Sequence, residues 1–187
     1  QTGFDLEMAA RGINCFLADP VLPKSLPTHP RIQFEQLALG DGKNGTFTLK
    51  LWGEQNRLES GNAILQMDIE GAEWEVLRSA REYIRHFRIM IIELHDIHHL
   101  VSGWREFLPK LLAVLHIRIA FDVVHAHLNN VPPTANLEGH SVPKVIEITL
   151  HRRKQRQRKP SFASLPHVLD APNDPERPPH PIPTSWS

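Results

Sequence analysis

Cysteine is nearly absent. Of 187 residues only Cys15 carries a thiol, which excludes an internal disulfide and a CxxC site. A lone cysteine fits a reducing compartment, so a cytoplasmic location is the expectation. Net charge is absent too: Lys and Arg number 21, Asp and Glu number 21, and the formal balance is +0. No apolar run approaches the ~20 residues that cross a bilayer, and no signal peptide pattern is visible, so no membrane partner is expected. There is no HExxH or similarly ordered metal motif and no internal repeat. What remains is the composition of one soluble-type domain, 41% apolar and able to bury a substantial core.

Proline divides the chain. Half of its 16 prolines lie after Arg158, which separates an α/β domain over residues 1–151 from a linker and tail over 152–187. The run "RRKQRQRKP", residues 152–160, has no interleaved aromatic and reads as a solvated linker rather than a nucleic-acid stripe. The tail predicts no regular element, with Phe162, Leu165 and Leu169 available to anchor it.

Within the domain, "FDLEMAARG" predicts a helix ending at Gly12 as its left-handed C′ residue, and "INCFLADP" a short strand stopped by Asp19-Pro20. "RIQFEQLALGDG" and "TFTLKLW" read as two strands joined by the turn-rich segment 40–45. "NAILQMDI" is a further strand. Trp74, Leu77, Ala80, Ile84 and Phe87 recur at helical spacing from Ala72 onward. "RIMIIELH" is apolar enough for a central parallel strand covered on both faces. A helix with Trp104, Leu108, Leu111, Leu112 and Leu115 follows, in which Pro109 predicts a kink or a later start. "IRIAFDVVHAH" and "KVIEITLHR" predict two last strands with no helix between them, paired antiparallel at one edge.

Strands alternating with helices predict a layered α/β sheet. The sequence opens on a helix feeding a strand that ends in an acid, the second half of a βαβ unit. A sheet lacking its first strand is therefore expected, with a vacancy between residues 14–18 and 62–68. A truncated sequence accounts for this better than a natural loss.

Ligands in open α/β sheets bind beyond the carboxyl ends of the strands. Those ends carry Asp19, Asp41, Asp68 with Glu70, Glu93 with His95, and His125, His127, Asn129 and Asn130. Singly, each is as well explained by a cap or a turn; jointly they mark a site. Asp19 suits an acid that accepts from ribose hydroxyls, or an Asp-Pro turn initiator. His125 and His127, two apart on a strand, could share a metal with His95 or Asp68 as a third ligand. No recognisable ligand spacing supports this, so no metal is expected. Glu73, in the first turn of a helix, reads as a charge that complements the helix dipole.

"LQMDIEGAEWEVL", residues 65–77, resembles the K/Q-x-D-[IV]-E-G-x-E signature of FkbM-type methyltransferases, S-adenosylmethionine-dependent enzymes of the Rossmann-like class. "FDLEMAARGINCFLADP", "IIELHDIHHL", "HAHLNN…VPKVIEITLHRR" and "LDAPNDPERP" resemble further parts of the same family. The resemblance implies a class I methyltransferase sheet with an antiparallel last strand, S-adenosylmethionine as donor, and O-methylation of a small-molecule or sugar hydroxyl. Carried across, Asp19 would hold the ribose and Asp41 would lie near the adenine. Asp68, Glu70 and Gly71 would wall donor from acceptor, and Thr2-Gly3 would be the remnant of the glycine-rich loop. His95, His125 and Asp68 are the candidate bases for the acceptor hydroxyl. The alternative is a catalytically silent methyltransferase-like domain that binds a ligand or partner; a metal hydrolase built on the histidines ranks third. The loop over residues 128–143 names no acceptor.

Overall fold

The computed structural model describes residues 3–21, 28–101, 103–137, 139–153, 165–168 and 170–180. Most of the basic run, with Thr2, Phe162 and Leu169, lies outside them.

The chain opens with α1 (Gly3–Ala10). Gly12, at φ 88°, ends it by donating to Ala9 O while Ile13 donates to Met8 O. That double bond is the Schellman arrangement, which a residue with a Cβ adopts only under strain. β1 (Cys15–Ala18) follows and pairs in parallel with β2 (Ile32–Glu35), Cys15 opposite Ile32.

The next segment departs from expectation. β3 (Leu39–Gly40) and β4 (Phe47–Thr48) are two-residue strands paired in parallel, and "LKLW" belongs to helix α2 (Leu49–Gln55). Thr48 decides this, because its hydroxyl accepts from Leu51 N at 3.1 Å and caps the helix. Leu49, Trp52 and Gly53 then share the buried face, so the apolar letters satisfy a helical period as well as an alternating one. Trp52 Nε1 and Asn56 Nδ2 both donate to Glu35 Oε1, at 3.0 and 2.8 Å, which ties α2 to β2.

The main sheet contains β5 (Ala63–Met67), β6 (Phe87–Leu94), β7 (Phe121–Leu128) and β10 (Ile146–Arg152), in the order β5-β6-β10-β7. β5 and β6 are parallel, and β10 is antiparallel to both its neighbours. β5, β6 and β7 therefore run the same way, and their carboxyl ends form one rim. Among the described residues no ladder joins β1 to β5. A hairpin of β8 (Ala135–Leu137) and β9 (His140–Val142) interrupts the loop before β10.

α3 (Glu73–Ser79) is shorter than its apolar stripe. A 3₁₀ turn over Tyr83–His86 carries Tyr83 and Ile84 into the core, and Phe87 already begins β6. The stripe recurs at i+3 and i+4, a spacing that a helix followed by a 3₁₀ turn also serves. α4 (Trp104–Ala120) runs through Pro109 and takes in the start of the segment read as strand. Its buried residues are Lys110, Ala113 and Ile117, whereas Trp104, Leu108, Leu112 and Leu115 are exposed. Most of the apolar residues that mark this helix in the sequence thus lie on its outer side, with Leu111 half-buried.

The core lies on one face of the sheet. Leu65, Met67, Met90, Ile92, Leu94 and Leu150 pack with Val76, Leu77 and Ile84 below α3 and with Ala113 and Ile117 of α4. On the opposite face Ile64 is exposed and Ile89 and Ile91 are half-buried. β6 is therefore covered on one face rather than two, because the described helices packed on the sheet meet its other side. Among the described residues no helix is long and apolar enough to cross a membrane.

Candidate functional site at the carboxyl rim

β5 ends at Met67, and the chain turns through Asp68-Ile69-Glu70-Gly71 before α3 begins at Glu73. Two successive residues of that turn sit at positive φ, Glu70 at 54° and Gly71 at 104°. Glycine takes such a value freely, but glutamate does so only where its surroundings hold it. Glu73 supplies the hold. Its side chain is 0% exposed. Oε1 accepts from Ile69 N at 2.9 Å, and Oε2 accepts from Gly71 N at 3.0 Å. Glu73 is thus the bolt of the turn, a larger part than the dipole charge expected of it.

The same carboxylate reaches the next strand end. Glu73 Oε1 lies 3.1 Å from Nδ1 of His95, one residue beyond β6. His95 O in turn accepts from Trp74 Nε1 at 2.7 Å, so both backbone and ring of His95 are tied to α3. The Nε2 edge faces Glu70 Oε2 at 3.4 Å, a side chain that is 87% exposed. Desolvation lowers the His95 pKa, but the charge and hydrogen bond of Glu73, with Glu70 and Glu93 behind them, outweigh it and raise the group above its ordinary value.

Glu93 completes the cluster. The pairing of Met67 with Ile92 brings Asp68 beside Glu93, and desolvation followed by that second negative charge pushes the Asp68 carboxyl up. Asn129, just past β7, donates Nδ2 to Glu93 Oε1 at 2.5 Å. One ligand atom each from Asp68, Glu93 and His95 lies within 4.8 Å of the others. The arrangement can hold a hydroxyl, bind a cation or take up a proton.

The other expected site residues stand apart from this cluster. Asp19 is exposed past β1, and its Oδ1 accepts from Val21 N at 2.7 Å, so it does form the Asp-Pro turn. Asp41 is held by Lys43, whose Nζ lies 2.7 Å from Oδ2 and whose backbone N donates to Oδ1; these bonds lower its pKa. Gly3 begins α1 with open space where a Cβ would stand.

His125 and His127 turn to the tail. His125 Nε2 lies 2.9 Å from Asp170 Oδ1, and His127 Nε2 lies 3.1 Å from Asn173 Oδ1. Asn130, 3% exposed, donates to the carbonyls of Asp174 and Arg177 and accepts from Asp174 N at 2.9 Å. His180 meets Pro132 O at 3.0 Å, and Arg177 donates to Val131 O. A cavity of about 350 Å³ lies between this tail and the loop after β7, lined by Asn130, Pro132, Thr134, Ser141, Arg177 and His180. It adjoins the strand end that carries Asn129 but is lined by different residues.

Sequence reading placed Glu93 on the rim without a role; its spacing of two from His95 along a strand was the available signal. The partnership of His125 with Asp170, 45 positions away, had no local signal at all.

The turn at Asp68–Gly71, fixed from below by Glu73, lies inside a segment that a known family shares. Residues 46–115 match the methyltransferase FkbM domain. The FkbM segment starts beside β4 and runs through α2, β5, the turn, α3 and β6 into α4, so it contains the whole Asp68–Glu93–His95 cluster. An FkbM-type domain points to a methyltransferase. No curated protein and no solved structure gives a significant match.

Proposed function

We propose that this chain is an S-adenosylmethionine-dependent methyltransferase acting on the hydroxyl of a small molecule or sugar. One observation carries the reading. The FkbM segment bends through a strained turn, Glu70-Gly71, and sets Asp68, Glu93 and His95 together at the rim of parallel strands. A methyltransferase needs little covalent help from the protein, because alignment of the two reacting centres supplies most of the acceleration. When bound, S-adenosylmethionine supplies the methyl group by in-line displacement at carbon and leaves as S-adenosylhomocysteine.

The chain's own residues fit that donor in two places. Gly71 offers backbone free of a side chain, and a Cβ there would meet only Asp96 Oδ2, at 3.7 Å. Asp19 is an exposed carboxylate at the end of a parallel strand, with Oδ1 engaged by Val21, and it would take the ribose hydroxyls through Oδ2. Asp41 would border the adenine. Asp68, Glu70 and Gly71 would form the partition between donor and acceptor. The cluster Asp68–Glu93–His95 would hold the acceptor hydroxyl and accept its proton. A cytoplasmic setting, where Cys15 stays reduced, agrees with this chemistry.

Calorimetric titration of the full chain with S-adenosylmethionine and S-adenosylhomocysteine tests the donor. Saturable binding of both, at micromolar dissociation constants, is the expected result, and absence of both overturns the reading. A second reading, a silent ligand-binding domain, is favoured by the tail residues that occupy His125 and His127. It predicts binding without methyl transfer to any hydroxyl in a broad acceptor panel.

A further inference from the structure

Asp68 and Glu93 bring two carboxylates to adjacent strand ends with no cation between them. Among the described residues neither forms an ion pair with a lysine or arginine. The surroundings add more negative charge: Glu70 Oε2 lies 3.4 Å from His95 Nε2, Glu73 Oε1 lies 3.1 Å from its Nδ1, and Glu147 stands opposite Glu93 on β10. Like charges directly opposite in a sheet are destabilising, so this clustering opposes folding unless something neutralises it.

The third member is a histidine in a particular posture. Its Nδ1 rests against the buried Glu73 carboxylate, which fixes the ring and favours the tautomer with the proton on Nδ1. Nε2 then faces Glu70 Oε2 at 3.4 Å, and because that side chain is 87% exposed it can swing aside and leave the Nε2 lone pair to an ion. Histidines that ligate metals commonly give their other ring N–H to a carboxylate in this way. Glu93 is steadied likewise by Asn129. The ligand atoms of Asp68, Glu93 and His95 lie within 4.8 Å of one another, close to the span of two ligands on opposite sides of one ion at bonds of about 2.1 Å.

We propose that Asp68, Glu93 and His95 bind one divalent cation, with Glu73 and Asn129 orienting His95 and Glu93 from behind. Two carboxylates and one imidazole form a donor set harder than the sulfur-rich sites of zinc and softer than an all-oxygen magnesium site. Mixed nitrogen and oxygen sets of this kind take Mn²⁺, Fe²⁺ or Zn²⁺, and Mn²⁺ serves as the spectroscopic probe. Three protein ligands leave coordination positions open, so the ion would carry water or the acceptor hydroxyl and lower the pKa of whichever it holds. That catalytic role rests on the methyltransferase reading; the binding of the ion does not.

Metal-stripped full-length chain titrated with Mn²⁺, followed by the loss of the free-ion electron paramagnetic resonance signal, is the test. One saturable Mn²⁺ per chain is expected in the absence of S-adenosylmethionine. Glu93→Gln and His95→Asn should each weaken it at least tenfold, with circular dichroism unchanged. If His95→Asn fails to fold, Glu93→Gln alone decides. A second group, Asp96, His98 and His99, also has metal-ligand spacing and provides the control. The proposal is overturned if the parent shows no saturable site, if Glu93→Gln binds like the parent, or if only an Asp96→Asn/His99→Ala variant loses binding. Donor titration in the same samples separates the two ideas: S-adenosylmethionine binding without Mn²⁺ binding removes the cation alone, and the converse removes the methyltransferase reading alone.

Discussion

Glu73 Oε1 sits 3.1 Å from His95 Nδ1 while the same side chain accepts the backbone N–H groups of Ile69 and Gly71. One buried carboxylate thus sets both the shape of the strand-to-helix turn and the orientation of the imidazole on the neighbouring strand. The two residues stand 22 positions apart in the chain.

The first prediction follows directly. Glu73→Gln keeps the size of the side chain but replaces one acceptor oxygen with a donor that faces N–H groups. Hydrogen bonds to a charged group contribute about 1.5–3 kcal/mol, and a buried group left unmatched adds its desolvation penalty. We expect a loss of about 2–4 kcal/mol in urea denaturation. A variant within 0.5 kcal/mol of the parent would show that Glu73 is only a helix-dipole charge.

Asp68→Asn should weaken S-adenosylmethionine binding at least tenfold while leaving the thermal melt nearly unchanged, since Asp68 is an exposed rim residue. Glu75→Gln, exposed on α3, serves as the matched control and should bind like the parent. Equal affinity in the two variants, measured by calorimetry, would remove Asp68 from the site.

Tyr83 makes a separate case. It is 5% exposed, and among the described residues its hydroxyl finds no hydrogen-bond partner. Burial, followed by the charges of Glu59 and Glu54, pushes its pKa up to about 12. The folded chain therefore keeps a proton that the unfolded chain loses above about pH 10, so stability falls as pH rises from there through 12. Tyr83→Phe should be neutral or stabilising by about 1 kcal/mol at pH 7 and should lack that alkaline decline. The Gly53 side allows no such freedom: a Cβ there would stand 2.3 Å from the Tyr83 hydroxyl, so Gly53→Ala should be destabilising in the same melts.

Asn130 holds the tail. Its amide bonds to Asp174 and Arg177, and Asn130→Ala leaves Asp174 N and two carbonyls without that partner. Limited proteolysis should then cut the segment 165–180 faster than in the parent, with the sheet domain intact. Unchanged cleavage would mean that His125–Asp170 and His180–Pro132 suffice to dock it.

Short apolar runs bounded by turn residues made the strands β1, β5, β6 and β10 and most of β7 legible from the chain alone. The Asp68–Gly71 segment was legible for a similar reason: two acids and a glycine at a strand's end are hard to place elsewhere. Where local letters served two periods, tertiary contacts chose. "TFTLKLW" became a helix because Thr48 caps it and Trp52 reaches Glu35. The stripe on α4 turned outward because Lys110, Ala113 and Ile117 form the side that packs. Glu73 could not be told from an ordinary first-turn acid until the structure set His95 beside it, and His125 read as a candidate base until Asp170 met it. Periodicity is a property of neighbours in the chain, so sequence determines it. Which carboxylate meets which imidazole depends on strand order and register, which only the packed sheet decides.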